Sequence, residues 1–72
     1  MREAIRTFSG SILGYVEDNY NGDLVAKTFS GKILGYYKKS NNTSTNFAGK
    51  ILGYGDYTVA MILQASNVHL DI

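Results

Sequence analysis

The sequence predicts a mainly β domain: an antiparallel sheet of three tandem β-hairpins, rolled or barrel-like, with a short C-terminal helix packed across one face. Three observations lead there. One phrase is written three times, as Phe8-Ser9-Gly10-Ser11-Ile12-Leu13-Gly14-Tyr15, Phe29-Ser30-Gly31-Lys32-Ile33-Leu34-Gly35-Tyr36 and Phe47-Ala48-Gly49-Lys50-Ile51-Leu52-Gly53-Tyr54, so one supersecondary unit is used repeatedly. Each phrase has a Gly-containing turn at its start and β-branched or aromatic residues on both sides, the pattern of a hairpin. After Tyr54 the composition shifts to helix formers.

The repeat units span about residues 3–17, 24–38 and 45–54 of one domain covering 1–72. In the first, residues 3–8 read as a strand, Ser9-Gly10 as a tight turn with a bulge at the Gly, and Ile12 to Glu17 as the return strand. Asp18 to Asp23 is dense in turn formers and makes the outer loop. The second unit repeats the plan over Leu24–Phe29 and Lys32–Lys38, and the polar run 40–44 follows as a loop. The third has a short first strand, Thr45–Phe47, and a return at Lys50–Tyr54.

A three-residue loop that sets Phe29 opposite Ile33 and Thr28 opposite Leu34 would gather Leu24, Ala26, Thr28, Leu34 and Tyr36 on one face. Ile5, Thr7, Leu13 and Tyr15 would join them from the first unit, with Phe8, Ile12 and Gly14, or Phe29, Ile33 and Gly35, on the other. Such a sheet is apolar on both faces and needs two covers. Gly14, Gly35 and Gly53 recur at one slot within strands, which implies a groove across the sheet, with Phe8, Phe29 and Phe47 as candidates to lie over it.

Gly55-Asp56 offers a turn and an N-cap, and 57–65 reads as a helix with Val59, Ile62 and Leu63 on one face. Alternation of Tyr57, Val59, Met61 and Leu63 leaves a strand as the alternative; a helix would supply one of the two covers. Val68, Leu70 and Ile72 alternate with His69 and Asp71 as a terminal strand.

The repeated aromatic-X-Gly turn and Gly-Tyr pairs, over residues 5–54, resemble the small bacterial β-repeat proteins of the four-fold beta flower type. In that family a short hairpin recurs around a pseudo-symmetric centre. This chain has three clear copies, and 55–72 stands where a fourth would be. The resemblance implies a fold and supplies no catalytic residues.

Composition narrows function mostly by exclusion. A chain of 72 residues buries only ~60 % of the surface its unfolded form exposes. Without Cys to form disulfides, association with another copy is the expected remedy. A net charge of +1 is too small for a dedicated nucleic-acid binder. The apolar run Val59–Leu63 is far short of the ~20 residues of a membrane span, and Met1 to Arg6 lacks the apolar run of a signal peptide. A cytoplasmic protein with no membrane partner is therefore expected.

No catalytic, cofactor or metal set emerges. His69, the one histidine, could act as a base beside Asp71, but no nucleophile accompanies it, and a solvent-facing tail residue is the simpler reading. Glu17, Asp18 and Asp23 bracket a loop without calcium-loop spacing. Tyr15, Tyr36 and Tyr54, equivalent in the three units, are the ligand-binding candidates: phenols able to stack bases, sugars or a peptide, with Lys27, Lys32, Lys38, Lys39 and Lys50 for phosphate contacts. Copying with the unit also explains them as packing residues. The function expected is a non-enzymatic interaction module that self-associates, its small-molecule or peptide ligand undefined. A weak single-stranded nucleic-acid binder is the alternative, and an enzyme the third possibility.

Overall fold

A computed structural model describes residues 2–19 and 22–66. Each copy of the phrase closes the same turn. The amide of Thr7 donates to the Ser11 carbonyl (2.8 Å) and that of Gly10 to the Thr7 carbonyl (3.0 Å). Thr28, Gly31 and Lys32 repeat this at 2.8 and 2.9 Å, and Asn46, Gly49 and Lys50 at 2.9 Å for both bonds. The loop is therefore three residues, Phe-Ser/Ala-Gly, and ends in a Gly at φ of 90° to 96°, a conformation that a Cβ disfavours. The residue before the Phe locks it: Thr7 Oγ1, Thr28 Oγ1 and Asn46 Oδ1 accept from the amides of Ser11 (3.1 Å), Lys32 (3.0 Å) and Lys50 (2.9 Å).

Between these turns run β1 (Arg2–Arg6), β2 (Ile12–Asp18), β3 (Leu24–Thr28), β4 (Ile33–Lys38), β5 (Thr43–Asn46) and β6 (Ile51–Tyr54). The sheet is an antiparallel meander in the order β1-β2-β3-β4-β5-β6. It is open, with β1 and β6 as edges, so the rolled or barrel-like form expected from the sequence gives way to an unclosed sheet. The three Phe residues expected at strand ends sit in the turns instead. Thr43 and Ser44, expected in a loop, begin β5, because Asn42 at φ 55° completes the preceding turn two residues earlier.

The register also differs from expectation, for a definite reason. With Phe29-Ser30-Gly31 as the loop, Thr28 lies opposite Lys32 and Lys27 opposite Ile33; a bulge then absorbs Leu34, and Ala26 meets Gly35. The same bulge takes up Leu13, so that Ile5 meets Gly14, and Leu52, so that Ser44 meets Gly53. Since direct cross-strand partners share a face, Gly14, Gly35 and Gly53 join Ala26 and Leu24. Tyr15 and Tyr36 move to the opposite side.

The helix α1 (Thr58–Ala65) covers the glycine face. The three glycines lie on a diagonal, one two-residue row further along with each hairpin, and the chain's C-terminal part fills that diagonal. Ile62 sits over Gly14, Met61 over Gly35 and the Tyr57 ring over Gly53. The expected groove is thus present, but it is filled from the helix and not by Phe8, Phe29 or Phe47. Val16, Ala26, Met61 and Ile62 form the buried core, with Ile5, Leu13, Leu24 and Leu34 packed around it. The helix buries Thr58, Met61 and Ile62, one position away from the expected Val59, Ile62 and Leu63.

Ser44 fixes the helix entry. Its buried hydroxyl donates to the Gly55 carbonyl (2.6 Å) and accepts from the Tyr57 amide (3.0 Å). Asp56 Oδ1 accepts from the Thr58 amide (2.9 Å) and hydroxyl (2.6 Å). Among the described residues no helix is long and apolar enough to cross a membrane. The expected terminal strand, with His69 and Asp71, lies outside the described residues.

Candidate interaction face

No described element packs over the face opposite the helix, and that face carries all three repeated tyrosines. One row crosses all six strands as Arg2, Glu17, Val25, Tyr36, Thr45 and Ile51. On one side of it lie Ala4, Tyr15, Lys27 and Ile33; on the other, Lys38, Thr43 and Tyr54. The bulge in each hairpin steps the tyrosines along the same diagonal as the glycines. Two strands sideways and one row along place successive tyrosines about 12 Å apart, with other side chains between them. They are separate contact points, not one stacking platform.

The two halves of this face differ in chemistry. Over β1–β3 it is charged and already paired: Lys27 Nζ donates to Glu17 (3.0 Å), Arg2 lies 4.0 Å from the same carboxylate, and the Arg2 guanidinium stands 3.8 Å from the Tyr15 ring centroid. Tyr15 is thereby half-covered by its own chain, a cation–π contact. Over β4–β6 the face mixes apolar Ile33, Tyr36, Ile51 and Tyr54 with Lys38, Thr45 and a buried Thr43. Ile33, Ile51 and Tyr54 are exposed, Tyr54 to 76 %, and Tyr36 lies half-buried beside Ile51's row neighbour Thr45.

The lysines proposed to accompany the tyrosines do not form a track along them. Lys27 is held by Glu17, Lys32 and Lys50 belong to the Phe turns, and Lys38 and Lys39 stand at the opposite end of the sheet. The carboxylates around the first outer loop are likewise dispersed. Glu17 serves Lys27 and Arg2, while Asp23 Oδ1 accepts from the Lys39 amide (3.1 Å). Among the described residues no three His, Cys, Asp or Glu side chains come together as a metal site.

Sequence reasoning overlooked the exposed Phe turns. The signal was available: a Phe directly between a Thr or Asn and a Ser/Ala-Gly pair falls inside a three-residue hairpin loop, not on a strand. No protein-family model matches the chain, and no curated protein or solved structure matches it.

Proposed function

We propose that this chain is a non-enzymatic interaction module acting through the uncovered face of its sheet, and that a second copy of the chain occupies that face. The observation that carries the proposal is the apolar group over β4–β6: exposed Ile33, Ile51 and Tyr54 and half-buried Tyr36 face away from the helix, with no described element packed over them. Two such patches meeting about a two-fold axis would bury self-complementary surface, and the small core of each copy leaves this remedy open. Kinship with the four-fold beta flower proteins belongs to the same proposal, supported by three hairpins with one aromatic-X-Gly turn. A cytoplasmic setting suits a chain without Cys.

Light scattering over a wide concentration range tests the proposal. A mass that rises toward twice the chain mass, and falls back with Tyr54→Lys, supports it; a strict monomer at high concentration removes it. The single-stranded nucleic-acid reading has less support, because the lysines and tyrosines do not align. Binding that weakens steeply with salt would be its signature.

A further inference from the structure

The three hairpin turns all emerge at one end of the sheet. Each presents a Phe at its tip, Phe8 fully exposed and Phe29 and Phe47 about two-thirds exposed. Successive tips are two strands apart, about 10 Å, so the Phe residues form a row of prongs. A cation accompanies each one. Lys32 and Lys50 directly follow the turn glycines, and Arg6 reaches over the first turn to donate to the Gly10 carbonyl (3.0 Å). None of these three cations is ion-paired among the described residues.

The described acidic side chains lie away from this end. Glu17, Asp18 and Asp23 flank the outer loop at the far end of β2 and β3, and Glu3, Asp18 and Asp56 line a shallow groove beside the start of the helix. Among the described residues the molecule is therefore polarised: one end carries acidic and basic side chains together, the other aromatic and basic ones.

We infer that the Phe8, Phe29 and Phe47 tips, with Arg6, Lys32 and Lys50, dock the protein peripherally on an anionic lipid surface. The partner must be negative and must accept isolated aromatic rings. A second copy is a poor fit, since joining two such ends would oppose like charges. Nucleic acid fits less well, because the rings stand on separate convex turns and Phe offers no hydrogen bond to a base edge. A lipid interface admits rings at any spacing, and interfacial binding combines apolar burial with attraction to anionic headgroups. The sequence-based expectation of no membrane partner rested on the lack of a spanning segment, and this inference departs from that expectation by placing a surface contact at the turns. The docking end is also distinct from the open tyrosine face, so either proposal can fail alone.

The test is vesicle flotation of the full chain with phosphatidylcholine alone and with about one-third phosphatidylserine, and circular dichroism on every variant. The expected result is binding to the anionic vesicles and little to the neutral ones. Phe8→Ser with Phe29→Ser and Phe47→Ser should weaken it at least about tenfold, and Lys32→Ser with Lys50→Ser by about fivefold per cation. Phe8→Ser alone, at a side chain that packs on nothing, provides the readout should the triple variant lose its fold; a several-fold loss is expected. Failure to bind anionic vesicles overturns the inference. So does binding that the Phe variants leave unchanged, or displacement from vesicles by a single-stranded oligonucleotide that the Phe variants bind equally well.

Discussion

At Gly35 a methyl group would have no space. A Cβ there would run into the Thr45 carbonyl oxygen and stand 2.6 Å from Met61 Sδ; at Gly14 it would meet the Lys27 carbonyl oxygen and come within 2.9 Å of Ile62 Cγ2. Backbone of the next strand cannot yield as a side-chain end can, so Gly14→Ala and Gly35→Ala should each cost about 2–3 kcal/mol, read by urea denaturation. Gly53→Ala should cost less, because the nearest atoms its Cβ would meet belong to the half-exposed Tyr57 ring, 2.7 Å to the hydroxyl, and not to backbone. Gly31 is a different case, with open space around it but φ of 96°. Gly31→Ala should cost about 1–2 kcal/mol through that angle, and Gly31→Asn less, as Asn42 already adopts positive φ in this chain. The recurrence of these glycines was legible in the sequence, and so was the groove they imply. What fills it was not, because the Leu bulge that turns them toward the helix leaves no periodic mark.

For the helix, the decision between faces is made at its entry. Apolar residues run through Val59, Met61, Ile62 and Leu63, so periodicity alone permits more than one buried stripe. The Ser44 hydroxyl and the Asp56 carboxylate fix where the first turn begins, and that rotation delivers Met61 and Ile62 to the glycine slots. Ile62→Ala should therefore destabilise by about 3 kcal/mol, while Val59→Ser, on an exposed position, should change stability by under about 0.5 kcal/mol. The reverse order would place Val59 in the core and refute the observed helix rotation. Ser44→Ala removes the acceptor for the Tyr57 amide and the donor to the Gly55 carbonyl, for an expected loss of about 1–3 kcal/mol. Nothing in the run Asn41 to Thr45 marked Ser44 as buried; a polar stretch between hairpins reads as loop, and only the turn closed by Asn42 converts it to strand.

Across the whole molecule, a short helix covers one side of a six-stranded sheet, and among the described residues the core beneath it has four buried apolar side chains, Ala26 among them. The repeated tyrosines were identifiable as candidates from repetition alone; their common exposure on the uncovered side follows from register and was beyond the sequence pattern. If a second copy covers that side, folding and association are linked, and stability must depend on protein concentration. A tenfold rise in concentration adds about 0.7 kcal/mol per chain for a dimer that unfolds to monomers, which for a domain of this size raises Tm by about 3–6 °C. Ile51→Lys, in the open row beside Thr45, places a charge where the two copies would meet. It should abolish that concentration dependence while leaving the Tm at high dilution nearly unchanged, since Ile51 is 63 % exposed in the single chain. Calorimetric scans of both proteins across the concentration series distinguish the cases: a Tm that is flat for the parent chain means the open face remains unoccupied by its own kind and is free to receive a different partner.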